Sequence, residues 1–298
     1  NAAAALDSQV FDSIAHRHHF DFRNSFYLWE ESDFSLTATF GMNADLEFLH
    51  FTDSPFTGDT TTKTNTTFPD TTTGQKDYRR NIAGYSQLSA TIYDRVMAQF
   101  GIRFDDNDTY GSAFSPRAAL GYVHPSTKSK IFASFSRGFI APSLNQYYLA
   151  VIGGTLSQQL SEETSQTYEI GFEQPWLSMG KQGRVAFNAT YFYTDYNAHI
   201  QELQLIANSH VHGIEASFKY NPVSWLEIYS NYTFTHAIND DDGSNFSNVP
   251  RHLLNSGFTV EPIENLSFNF HARSVSSRLL ATTLSTDALG DLGLAFFD

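Results

Sequence analysis

The sequence predicts an all-β chain, an antiparallel transmembrane β-barrel of outer-membrane type, and four observations carry that prediction. Apolar and polar residues alternate with period 2 along most of the 298 residues. No run of about 18 apolar residues exists, which removes a transmembrane helix. Aromatic residues nevertheless reach 15%, with 27 Phe and 15 Tyr, and no amphipathic helical segment accounts for them. Finally, the connections between the alternating runs sort into short and long ones in turn. A barrel that alternates lipid-facing and lumen-facing residues builds no continuous apolar run, sets aromatic girdles at both interfaces, and keeps its short turns on one side.

The first runs are Phe20, Phe22, Phe26 and Leu28 against Asp21, Arg23 and Ser25, then Leu36 through Phe48 against Thr37, Thr39, Asn43, Asp45 and Glu47. Leu88, Ala90 and Ile92 follow, then Val96, Ala98, Phe100, Ile102 and Phe104 against Gln99, Arg103 and Asp105. Next come Ala118–Tyr122, Ile131–Phe135, and Tyr168, Ile170 and Phe172 against Glu169 and Glu173. The last third runs through Val185–Tyr193, Ile214–Tyr220, Leu226–Phe234, Leu254–Val260 and Leu266–Ala272, closing with Leu292–Phe297. About thirteen strands result, with an irregular stretch over part of 1–19 and the barrel portion over 20–298.

Short connections fall near 31–34, 94–95, 125–129, 175–183, 222–225 and 262–265; long ones near 53–80, 106–113, 140–164, 198–211, 238–250 and 275–289. A soluble sandwich has the same solvent at both ends and no reason to sort its loops. The alternation therefore places Pro222–Trp225 and Glu261–Asn265 inside the cell envelope and Thr57–Thr73 and Asn239–Asn245 outside it. Arg103, Asp105, Glu169, Glu173, Glu215, Lys219, Glu227 and Arg273 then share the lumen side, because each charge facing lipid costs roughly 2–4 kcal/mol at the midplane.

Composition excludes several function classes. A net charge of -14 argues against a nucleic-acid partner, which needs a basic face. The absence of cysteine removes disulfides and thiolate metal sites. No Gly-x-Ser-x-Gly, His-Glu-x-x-His or P-loop pattern appears, so neither catalysis nor a cofactor is expected.

With the strands placed, ordered motifs between about 80 and 260 resemble the barrel of TonB-dependent outer-membrane receptors. They are Gly101-Ile102-Arg103-Phe104-Asp105, Ser115-Pro116-Arg117, Ser136-Arg137-Gly138-Phe139-Ile140-Ala141-Pro142-Ser143, Glu163-Thr164-Ser165 before Tyr168-Glu169-Ile170-Gly171, Gly213-Ile214-Glu215 and Pro250-Arg251-His252. The resemblance implies a barrel of 22 strands, an N-terminal plug, energy from the TonB complex, and uptake of a ferric siderophore or cobalamin. It also implies outer-membrane lipid and lipopolysaccharide as surroundings. The sequence departs from the family in showing no plug or TonB box, in Glu162 where a Pro is frequent, and in Asp298 after Phe297. The expectation is a piece of a longer chain, or a barrel that another chain completes. A structural scaffold and a passive porin stay open beside the receptor reading.

Candidate ligand-binding residues are Arg137 and, in the long segment after it, Tyr147 and Tyr148, since Tyr offers area plus a polar tip. His16-Arg17-His18-His19 is read as a solvated cluster rather than a metal site, and His210 and His212 as a polar lumen pair. Asp105–Asp108 and Asp240–Gly243 lack the EF-hand spacing and are read as solvated acidic loops.

Overall fold

The computed structural model describes residues 13–51, 78–108, 111–141, 163–201 and 204–277. Twelve strands form one antiparallel sheet whose spatial order is the chain order. They are β1 (Ser13–Glu31), β2 (Phe34–Phe51), β3 (Tyr78–Ile92), β4 (Val96–Asn107), β5 (Gly111–Val123) and β6 (Lys130–Ile140). The rest are β7 (Glu163–Ser178), β8 (Arg184–Gln201), β9 (Gln204–Val223), β10 (Leu226–Asn239), β11 (His252–Ile263) and β12 (Leu266–Val275). Each of the first twelve expected strands is present. The expected run Leu292–Phe297 lies outside the described residues, as do Thr57–Thr73, Tyr147 and Tyr148. Two compact units divide the chain, Asn1–Ala118 with Ser136–Thr164, and Ala119–Phe135 with Ser165–Asp298.

What is buried decides which solvent the sheet faces. Among the described residues, the buried hydrophobics are only Ala38, Ala83, Ala113 and Ala237, whereas Asp45, Asp105, Asn107 and Asn221 are buried. The large apolar side chains stand exposed, from Phe20 at 59% to Phe268 at 57%. In water this arrangement would forfeit the hydrophobic driving force at roughly 25 cal/mol per Å². It is sensible only with lipid against the apolar face. Arg103, Glu169, Glu215, Lys219, Glu227 and Arg273 stand on the opposite, polar face, as alternation along paired strands requires.

Turn chemistry explains the tight connections. Between β3 and β4, Tyr93 and Asp94 both have positive φ, 52° and 53°, and Arg95 donates its N–H to the Ile92 carbonyl at 2.9 Å. Positive φ at both central residues marks a turn whose twist matches the flanking strands. Between β11 and β12 only Asn265 of the two central residues has positive φ, at 68°.

Two expected long loops are corrected. Within 198–211, residues 198–201 and 204–211 are strand: β8 runs to Gln201 and β9 begins at Gln204. Of the 106–113 stretch, Asp106 and Asn107 belong to β4 and Gly111–Ala113 to β5. Both are strand extensions beyond a crossing of 9–11 residues, where both faces meet water and alternation carries no signal. The 20 residues of β9 reach roughly 65 Å when extended at about 3.3 Å per residue, far more than the apolar band of about 25 Å.

Candidate functional site

The polar face of β1–β4 is crossed by a charge network. Asp45 on β2 accepts from Arg17 at 2.8 Å and bonds His19 at 2.7 Å, both residues lying on β1. Glu47 pairs with Arg79 of β3 at 2.5 Å. One level lower, Asp105 of β4 accepts from Arg103 through both carboxylate oxygens, at 2.6 and 2.7 Å, and from Asn81 at 3.0 Å. Arg103 also donates to Asn43 at 3.0 Å. Arg103 and Asp105 meet because residues two apart on a strand share a face, and the fork geometry of guanidinium suits a bidentate carboxylate.

This network corrects two readings. Asp105 keeps the polar-face position on the fourth strand that alternation gives it, but it is fully buried rather than the start of a solvated acidic loop. The histidine cluster is split by alternation: Arg17 and His19 reach Asp45, whereas His18 lies against Phe48, with ring centroids 6.1 Å apart.

Below the network lies a cavity of about 430 Å³ lined by Asp21 and Arg23 of β1, Tyr85 of β3, Arg103 of β4, Arg117 of β5, and Ser136 and Arg137 of β6. Small residues make the room. Gly101 allows Arg117 to cross it, since a Cβ there would stand 2.8 Å from the Arg117 Nε. Gly41 faces Tyr85 across the β2–β3 pair and admits its ring, which a Cβ would overlap. Arg117 donates to Gln87.

Four guanidinium groups thus line the cavity against one carboxylate, Asp21. Asp105 neutralises Arg103, and among the described residues Arg23, Arg117 and Arg137 have no carboxylate partner, Arg117 donating to the neutral Gln87. Set against the single carboxylate of Asp21, these three leave an excess of two positive charges in the cavity of a chain whose net charge is -14. Donors of this kind bind oxyanions, and guanidinium does so bidentately.

Arg137 is the sequence-expected residue that this cavity takes in. Sequence reading missed its convergence with Arg23, Arg103 and Arg117. One signal was available: each lies roughly seven residues from the short-turn end of its strand, hence at a similar height on neighbouring strands.

His210 and His212 are also corrected. Along β9 they fall on the face of Ile214 and Phe218, not with Glu215 and Lys219 on the polar face. The acidic Asp240–Gly243 segment is a tight turn. Gly243 adopts φ 70°, and Ser244 donates its N–H to Asp242 at 2.9 Å. Hydrogen bonding from Ser244, side chain first and then backbone, holds the Asp242 carboxyl below its ordinary range.

Comparison with known proteins agrees with this wall. The chain superposes on the ferric enterobactin receptor PfeA of Pseudomonas aeruginosa with TM-score 0.70 at 19% identity, over 89% of this chain and 42% of that one. For the siderophore receptor PirA of the same organism the TM-score is 0.67 at 18% identity, over 89% and 49%. The iron-regulated outer membrane virulence protein of Vibrio cholerae is 24% identical over 217 residues, 62% of this chain and 32% of its own length. The vitamin B12 transporter BtuB of Vibrio cholerae is 27% identical over 150 residues, 48% of this chain and 23% of its own length. The chain therefore spans about a third or less of the curated relatives it matches. A family model, the TonB-dependent receptor-like β-barrel, matches residues 3–292. On that match the chain belongs to the β-barrel family of TonB-dependent receptors, proteins of the bacterial outer membrane.

Proposed function

We propose that this chain is the wall of an outer-membrane receptor for energy-dependent uptake of a scarce solute, and that an anionic ferric chelate fits it better than cobalamin. The observation that carries the proposal is the excess of guanidinium in the cavity of Asp21, Arg23, Arg103, Arg117 and Arg137. An anionic chelate presents oxygen atoms to several donors at once, and each charge-assisted hydrogen bond contributes about 1.5–3 kcal/mol. Cobalamin offers no comparable cluster of negative oxygens. In this reading the end with the longer connections faces outward. Tyr147 and Tyr148 are proposed to grip the ligand at that end, Arg137 receives it within the wall, and a plug coupled to the TonB complex gates its passage. The surroundings are outer-membrane lipid and lipopolysaccharide, and further strands, from the same chain or another, complete the barrel.

The test is equilibrium binding to the purified protein in detergent, with a triply charged ferric tris-catecholate and cobalamin as the two probes. Replacing two of the three unpaired cations in Arg23→Gln/Arg137→Gln should weaken the ferric chelate at least ten-fold and leave cobalamin unaffected. Preferential binding of cobalamin, or unchanged affinity for the chelate, would overturn the assignment.

A further inference from the structure

We propose that the apolar-side surface at the long-connection end of β8–β11 binds the phosphate of an outer-leaflet lipid headgroup, through His212, His236, His252 and Arg251, and that it does so more tightly at acidic pH. The proposal takes its orientation from the preceding section but not its cargo.

Strand register assembles the site. His212 stands opposite Tyr193 on β8 and His236 on β10. Phe234, one outward-facing step below His236, stands opposite Ile214 and His252. All of these share the face of Phe218, Leu254 and Phe258, exposed at 39–41%. His212 lies about eleven residues from the short-turn end of β9, where a crossing of 9–11 residues comes to its end. The imidazoles therefore sit where acyl chains give way to headgroups.

The rings form one surface. The His212 and His236 centroids are 5.2 Å apart, edge to face, and His252 lies 5.4 Å from Phe234. Tyr232 Oη and His252 Nδ1 are 2.9 Å apart. Arg251 donates to Asn245 at 2.8 Å and approaches His236 Nε2 at 3.3 Å. Arg251, His236, Asn245 and Ser277 also line a cavity of about 390 Å³ at the end of the strands, which Thr235 and Ala237 reach from the opposite face and which gives an oxyanion room.

Charge indicates what belongs there. The carboxylates of this region lie towards His210: Asp195 is its register partner, and Asp240 bonds its Nδ1 at 2.5 Å. Asp242 is tied to Ser244. Among the described residues, Tyr191, Tyr193 and Tyr232 also face the row, and the His210 ring stacks on that of His212 at 5.8 Å. Among the described residues, no carboxylate is hydrogen-bonded or ion-paired to His212, His236, His252 or Arg251, which together supply one permanent cation and three imidazoles. Protonating His236 removes the acceptor facing Arg251 and sets two cations side by side. A phosphate between them accepts from both, so anion binding and protonation reinforce each other.

The experiment measures retention of diphosphoryl lipid A, and of the same lipid stripped of phosphate, on the native protein in detergent at pH 5.5 and pH 8. The expected result is at least five-fold tighter binding of the phosphorylated lipid at pH 5.5 than at pH 8. His212→Gln/His236→Gln should abolish that pH dependence, whereas Arg251→Gln should weaken binding at both pH values. His252→Gln, a single change at an exposed position, should reduce the dependence in part and serves if the double variant assembles poorly. Equal retention of the stripped lipid, or a pH dependence that survives in both histidine variants, would overturn the proposal. Neither result bears on which solute the barrel carries.

Discussion

The polar faces of β1–β4 and of β9–β12 are built to different electrostatic rules. On β1–β4, Asp45, Glu47 and Asp105 each meet an arginine, and Asp105 is fully buried because Arg103 and Asn81 satisfy it. On β9 and β10, Glu215, Lys219 and Glu227 occupy the same face with no hydrogen-bond or ion-pair partner among the described residues. The first region is electrostatically self-contained, apart from the arginines at its cavity. The second leaves its charges to water or to whatever enters the lumen. One wall thus combines a stretch that stabilises itself with a stretch that waits for contacts.

The largest expected effect follows from that difference. Removing one partner of a buried ion pair costs about 3–5 kcal/mol, since the other charge is stranded. Asp105→Ala should therefore lower the urea midpoint of the folded barrel sharply, and Glu215→Ala should change stability by less than about 1 kcal/mol. Equal losses in the two variants would remove the distinction between the regions.

The lipid-facing surface should not share this asymmetry. Phe104 on β4 and Phe270 on β12 are exposed to 53% and 54%. An arginine at either place costs roughly 2–4 kcal/mol at mid-bilayer. Phe104→Arg and Phe270→Arg should impair membrane assembly alike, measured by heat-modifiable migration. Asn269→Arg, one residue away on the polar face beside Thr259, should assemble normally. A tolerated Phe270→Arg would show that the faces are assigned the wrong way round.

These faces were legible in the sequence because lipid on one side and water on the other impose a period of 2. Phe268, Phe270, Asn269 and Arg273 fall where alternation places them. The signal fades where both faces are wet, which is why the strand through Asn197 and Asn208 reads as a loop and His210 and His212 read as lumen residues. The cavity was less legible still. Arg137 was visible within its motif, but its meeting with Arg23, Arg103 and Arg117 depends on inter-strand stagger, which no single strand encodes. Asp105 looked like part of an acidic run because Asp106 and Asp108 flank it, and only pairing with β3 shows it buried.

A smaller effect concerns glycines that sit opposite tyrosines in both regions, Gly41 opposite Tyr85 and Gly257 opposite Tyr229. A Cβ at Gly41 meets only the far end of the Tyr85 ring, which can swing away. At Gly257 it meets the Phe270 carbonyl oxygen at 2.2 Å, which is backbone and cannot yield cheaply. Overpacking costs typically about 1–3 kcal/mol, so Gly257→Ala should lie at the upper end of that range and Gly41→Ala at the lower. The reverse order in urea midpoints would mean that the β11–β12 pair is looser than the β2–β3 pair.

The smallest effect belongs to the turn that joins β10 to β11. The carboxyl of Asp242 is held below its ordinary range by Ser244, so its folded-state pKa lies under the unfolded one. A depressed pKa contributes stability that is complete above the unfolded value and is lost as pH falls through the folded one. Asp242 is fully exposed, so the change should be confined to the turn. The Ser244 amide should lose hydrogen-exchange protection, relative to amides of β10, as pH falls below the ordinary aspartate range of about 4. In Asp242→Asn, which cannot ionise, the ratio should be independent of pH. A pH-dependent ratio in that variant would transfer the effect to Asp240 or Asp241, and the acidic turn would then be coupled to His210, which Asp240 holds.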